Sequence, residues 1–125
     1  MEQPTDDLTL RQYQQLVDDW IQTIGVRYYS ELTNTAVLME EVSEVARIMA
    51  RVYGEQSFKA GSEAYDLADE MADVLFVLVC LAKQTGVDLA AATERNMAKK
   101  TGRDKERHAN NPKLKDGDKK SEVAI

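Results

Sequence analysis

The sequence predicts an all-α fold, and three observations carry that reading. Apolar residues recur at helical spacing along most of its 125 positions. Glycines stand where helices would stop, at Gly25, Gly54 and Gly86. Capping residues, Thr9 and Asp88, stand where helices would begin. The length favours one domain around one core.

Residues 1–8 show no periodicity and are expected to be loose. Thr9 followed by Gln12 resembles a capping box. Leu10, Tyr13, Val17, Trp20, Ile21 and Ile24 continue it as a first amphipathic helix, ended at Gly25. Residues 26–34 form a connection carrying Tyr28 and Tyr29. A second helix opens near residues 32–35 and runs to Tyr53, with Gly54 following it. Its apolar stripe is Leu38, Val42, Val45 and Met49. A neighbouring stripe holds Val37, Glu41, Glu44 and Ile48. Residues 55–63 read as a loop. A third helix is expected from about Glu63 to Thr85, with Asp66, Glu70 and Asp73 on one face. Residues 74–82 then run apolar on every side, which implies burial on every side, against a partner subunit as well as the core. Asp88 suits the N-cap of a fourth helix, from Leu89 to about Lys100, which the run Ala90–Ala92 favours by propensity. From Gly102 the chain turns polar. The expected division is a flexible N-terminus at 1–8, a helical domain at 9–108 and a charged, disordered tail at 109–125.

Composition narrows the function classes. The chain is 43% hydrophobic and 30% charged, as suits a helix-rich globular protein. Residues 1–98 carry 7 basic and 17 acidic side chains, a net −10. Residues 99–125 carry 9 and 5, a net +4, and the two return the overall −6. An acidic body argues against nucleic acid as the main ligand. The one cysteine, Cys80, lies in the apolar run and reads as a buried thiol; no internal disulfide can form, which fits a reducing cytoplasm. Residues 1–7 have no signal-peptide pattern, and the longest apolar run is too short to span a bilayer.

Two acidic motifs organise the chemistry. Glu40-Glu41-Val42-Ser43-Glu44 is an EExxE and Glu70-Met71-Ala72-Asp73 is an ExxD. On helices, Glu41 and Glu44 share a face, as do Glu70 and Asp73. Two antiparallel helices could aim these four carboxylates at one point, where they would repel and resist desolvation. A hard divalent cation would offset that, Mg²⁺ first and Mn²⁺ second. The bland alternative is a solvated acidic face, with Glu44 and Arg47 as an i,i+3 pair. That alternative leaves unexplained why Asp73 abuts the apolar run. The only histidine, His108, lies in the polar tail. Di-iron, histidine–zinc and Ser/His/Asp chemistry therefore lack their ligands or base. The scattered glycines make no phosphate loop. An all-carboxylate site for Mg²⁺ keeps coordination positions for substrate phosphates and can acidify a water that attacks phosphorus. Lys99, Lys100, Arg103 and Arg107 are cations available to the phosphates.

The EExxE, the ExxD and the run Asp73-Val74-Leu75-Phe76-Val77-Leu78-Val79-Cys80-Leu81-Ala82 resemble the MazG-like nucleoside triphosphate pyrophosphohydrolases, of the small single-domain bacterial type. The likeness extends from about Tyr13 to Arg107. It implies a four-helix MazG-like bundle, assembled as a dimer or tetramer, that cleaves an NTP or dNTP between the α and β phosphates to monophosphate and pyrophosphate. By motif position it implies Glu41, Glu44, Glu70 and Asp73 as Mg²⁺ ligands and Glu40 in a supporting or water-orienting role. Lys99, Arg103 and Arg107 look like phosphate contacts. Trp20, Tyr28, Tyr29 and Asn96 are candidates for the base. The alternatives are a phosphoribosyl-ATP pyrophosphohydrolase and a non-catalytic helical oligomer.

Overall fold

The structure is a computed structural model, and it describes residues 7–115. Most of the expected loose N-terminus and charged tail thus lies outside the described residues. Within them there are four α-helices: α1 Leu10–Thr23, α2 Glu31–Val52, α3 Leu67–Gln84 and α4 Leu89–Ala109, then a 3-10 turn at Pro112–Leu114. The all-α class and the four helices are as the sequence predicts, and no strand occurs among the described residues. Two compact units divide the chain, Met1–Leu89 and Ala90–Ile125.

Local chemistry sets the boundaries in the first unit. The capping box at α1 forms: Thr9 Oγ1 accepts from the Gln12 N–H at 3.1 Å, and Gln12 Oε1 accepts from the Thr9 N–H at 2.8 Å. Helix α2 opens earlier than expected, because Ser30 caps it by accepting from the Thr33 N–H. Helix α3 opens later, at Leu67 rather than Glu63. Asp66 is its N-cap, accepting from the Asp69 N–H, and so leaves the face of Glu70 and Asp73. Asp69 and Glu70 in the first turn suit the positive end of the helix dipole. At the far end Gly86 takes φ 74°, and the Val87 and Gly86 N–H groups donate to Ala82 and Lys83 carbonyls, a Schellman closure. After α1 the left-handed residue is Val26, at φ 74°. Gly25 is needed for a different reason: a Cβ there would lie 3.2 Å from the Ile21 backbone and the Trp20 ring.

Helix α3 packs against both α1 and α2. Val17 and Ile21 of α1 meet Val79 and Cys80 of α3 in the core, flanked by Tyr13, Tyr28, Phe76 and Leu89. On α2 the buried apolar residue is Ile48, on the stripe of Glu41 and Glu44. Val42 and Met49, on the stripe the sequence favours, are 43% and 40% exposed. The apolar run of α3 is buried at Val77, Val79, Cys80 and Ala82, while Leu75 and Leu78 are each 41% exposed. Helices α2 and α3 run antiparallel: Asn34, near the start of α2, donates to Gln84 Oε1 at the end of α3, 2.8 Å away.

In the second unit α4 continues to Ala109, nine residues past the expected end at Lys100. In the polar stretch 100–109 the half-buried Asp104 accepts from its neighbour Arg103 and pairs with Arg107 at i,i+3, the spacing that supports a helix. Gly102 sits inside the helix without breaking it. No single helix among the described residues is long and apolar enough to cross a membrane.

Candidate metal centre

The antiparallel pairing of α2 and α3 decides the site. Asn34 opposite Gln84 sets the register, and further along the pair Glu41 comes opposite Glu70 and Asp73. One carboxylate oxygen from each of these three residues lies within 4.8 Å of the others, and all three side chains are half-buried. Partial removal from water, then the charges of Asp73, Glu70, Glu44 and Glu40, raises the Glu41 carboxyl above its ordinary value. Glu70 is likewise raised, by desolvation first and then by Asp73, Glu44 and Asp69, with Arg47 pulling the other way. These are the signs of like charges held close with too little to neutralise them.

The other expected ligands stand differently. Glu44 is exposed, and its Oε2 lies 3.5 Å from Arg47 Nε. Its charge still bears on both Glu41 and Glu70. Glu40 is exposed beside Glu41. The donor set is all carboxylate oxygen, which fits a hard divalent cation and not a soft or nitrogen-preferring one. Glu41, Glu70 and Asp73 could hold such an ion in the arrangement described, with Glu44 three residues from Glu41 on the same face of α2.

Two residues near the cluster are not prominent in the sequence. Tyr13 of α1 has its phenol raised by burial and then by the charges of Cys80 and Asp73, so it lies within electrostatic reach of the cluster. Arg47 is the cation that bears on Glu70, and it lies 5.8 Å over the Phe58 ring. Its i,i+3 spacing to Glu44 signals a surface pair; the loop contact that holds it has no local sequence signal.

One helical turn from the cluster lies a pocket of about 290 Å³. Val37 stands four residues before Glu41, and Phe76 and Val77 stand three and four after Asp73. Trp20, Tyr28, Asn34 and Arg27 are among the other residues of its wall. Trp20 meets Phe76 edge-on, with centroids 5.9 Å apart, and stays 39% exposed at the rim. Asn34 is 6% exposed and is tied to Gln84, whose Nε2 donates to the Tyr29 carbonyl at 2.6 Å. Asn96, Lys99, Arg103 and Arg107 lie on α4 in the second unit, all exposed. Arg103 there makes a two-point pair with Asp104, at 3.0 and 2.8 Å.

A family model for the MazG nucleotide pyrophosphohydrolase domain matches residues 29–108, a span that includes both acidic motifs. The chain belongs to the MazG nucleotide pyrophosphohydrolase family. MazG-family proteins of this type are hydrolases, and two relatives are close in sequence and fold. YpjD of Bacillus subtilis strain 168 is 41% identical over 101 residues, covering 81% of this chain and 91% of YpjD. A crystal structure of YpjD superposes with a TM-score of 0.66 at 38% identity, over 77% of this chain and 95% of that one. The crystal structure of a Bacillus MazG protein, a nucleotide pyrophosphohydrolase, gives 0.63 at 32% identity, over 76% and 91%.

Proposed function

We propose that this MazG-family chain is a Mg²⁺-dependent hydrolase of nucleoside triphosphates. It cleaves an NTP or dNTP between the α and β phosphates, releases monophosphate and pyrophosphate, and so clears surplus or non-canonical nucleotides. The observation that carries the reading is the meeting of Glu41, Glu70 and Asp73 within 4.8 Å at the edge of an aromatic pocket. In this reading Glu41, Glu44, Glu70 and Asp73 hold the cation and Glu40 orients water or supports a ligand. A bound Mg²⁺ supplies the positive charge that phosphate transfer needs and makes a nearby water more acidic; Mn²⁺ can substitute.

The remaining steps belong to the chain's own residues. Trp20 offers a ring face at the pocket rim, suited to a nucleobase. Asn96 is the second base candidate. Lys99, Arg103 and Arg107 contact phosphates, which for Arg103 and Arg107 means exchanging Asp104 for substrate oxygens. Self-association as a dimer or tetramer is part of the proposal, supported by the apolar surface left at Leu75, Leu78, Val42 and Met71. A cytoplasmic setting is supported by the free, buried Cys80.

Incubating the purified protein with Mg²⁺ and a panel of canonical and modified triphosphates tests the reading, with products separated by chromatography. Monophosphate plus pyrophosphate is the expected outcome. Diphosphate plus orthophosphate would move the attack to the terminal phosphate and overturn the mechanism. No turnover with Mg²⁺ or Mn²⁺ would favour a non-catalytic helical protein.

A further inference from the structure

The face that α2 and α3 share has a direction. At one end are Val37 and Phe76 with the aromatic pocket. In the middle are Glu41, Glu70 and Asp73. At the other end are Arg47, Phe58 and Tyr65. Both helices give the same order, because they are antiparallel and the residue numbers rise along one as they fall along the other. A nucleoside triphosphate has a matching order: an aromatic base, the phosphate to be attacked, then the pyrophosphate to be released. The pocket is mostly apolar and aromatic, and the one guanidinium in its lining, Arg27, donates to the Tyr28 carbonyl at 3.0 Å, so this end suits the base, while the guanidinium of Arg47 suits the pyrophosphate.

Arg47 is built to stand at that end. Six residues of helix put its backbone about 9 Å along the axis from Glu41. Its guanidinium lies over the Phe58 ring, and Phe58 stacks on Tyr65 with centroids 5.7 Å apart and planes 10° from parallel. Tyr65 adjoins Asp66, the N-cap of the helix that carries Glu70 and Asp73. A planar cation on an aromatic face keeps its N–H edges free for an anion, which a lysine in that place would not do. The anion beside it here is Glu44, at 3.5 Å. That pair is long and single-pointed, the kind a doubly charged phosphate displaces.

We propose that Arg47 receives the pyrophosphate end of the substrate, with the nucleoside lying toward Val37 and Phe76, and that until then it holds Glu44 away from the metal cluster. Arrival of the substrate therefore does two things at once. It takes Arg47, and it frees Glu44 to turn toward Glu41, Glu70 and Asp73. Arg47 is a phosphate-binding residue, and Phe58 is the positioning residue behind it. The inference rests on the metal-site reading above and adds the direction of the substrate and the cation that sets it.

The test measures two affinities by calorimetry, that of Mn²⁺ alone and that of inorganic pyrophosphate with Mg²⁺ present. In Arg47→Met the freed Glu44 should tighten Mn²⁺ binding about three- to tenfold, while pyrophosphate binding weakens at least tenfold. Phe58→Leu keeps the charge and loses the platform; pyrophosphate should weaken about two- to fivefold with Mn²⁺ affinity unchanged. Loss of packing alone cannot give opposite shifts of the two ligands, and the double variant Arg47→Met with Glu44→Gln separates restraint from long-range charge: the Mn²⁺ gain should vanish in it, and a gain that persists would come from the lost charge and overturn the proposed hold on Glu44. A parallel fall in both affinities, or no change in either beyond twofold, overturns the proposal. Wild-type protein that takes up no Mn²⁺ removes the metal-site reading itself, and this proposal with it.

Discussion

Neutralising Glu41 should stabilise the metal-free protein and sharply reduce its response to divalent cations. In Glu41→Gln the side chain keeps its size and loses its charge. Glu41 and Asp73 oxygens lie within 4.8 Å, a separation at which two unit charges repel by about 0.9 kcal/mol in bulk water and about 3.5 kcal/mol at an effective dielectric of 20. The site is half-buried, so solvent screens it and the lower part of that range applies, about 1 kcal/mol. For a chain of this size that is about 3–5 °C in Tm. The pH dependence has a definite sign. The Glu41 carboxyl is raised above its ordinary 4.5, so the folded state holds the proton better than the unfolded chain. Its contribution is fully present below 4.5 and is lost as pH rises through the raised value. The advantage of Gln over Glu should therefore vanish in acid and grow toward neutrality. With Mg²⁺ at 100 times its Kd, wild type should gain about 2.7 kcal/mol, and a site weakened a hundredfold should gain only about 0.4 kcal/mol. Scanning calorimetry of both proteins, with EDTA and with Mg²⁺ across pH, reads all of this. A variant no more stable than wild type in EDTA, yet shifted equally by Mg²⁺, would refute the reasoning.

Other expectations are simpler. Val26→Asn should raise stability by about 1 kcal/mol, because Val26 holds φ 74° and is 77% exposed, so its side chain contributes strain and little packing; urea denaturation checks it. Ile48→Ala should cost about 2–5 kcal/mol, since Ile48 is 1% exposed and its removal leaves a cavity. Cys80 should resist thiol reagents in native protein near neutral pH, its thiol being buried and pushed up to about 11; rapid labelling would contradict that burial. Trp20→Leu should raise KM for a triphosphate roughly 5- to 150-fold while leaving inorganic pyrophosphate binding unchanged. Equal loss of both would place Trp20 in the scaffold.

Much of the fold was legible because its signals are local. The Thr9–Gln12 capping box and the glycine after α3 depend on residues within a few positions of one another, and both form as their sequence suggests. The boundaries that moved did so for equally local reasons that compete. Ser30 and Asp66 capped helices that periodicity alone placed elsewhere, and α4 runs on past Gly102, where Asp104 and Arg107 pair at helical spacing. The choice of inward face on α2 was not local. Two adjacent stripes were available, and the one bearing Ile48 and Glu41 turned inward, with Glu44 at its exposed edge. Only contact with α3 could select it.

The sequence by itself determined that the chain is helical, that it carries two acid pairs at helical spacing, and that it belongs to the MazG family, because each depends on residue type and short-range spacing. Tertiary structure decided which acids meet. Glu41, Glu70 and Asp73 converge because the register of α2 against α3 brings them opposite. The Glu44–Arg47 pair follows helical spacing, but Arg47 also rests on Phe58, eleven residues on, through a contact that no helical period encodes. The reason is physical: a carboxylate's role depends on the charges and water around it, and those are set by which elements pack together rather than by its neighbours in the chain.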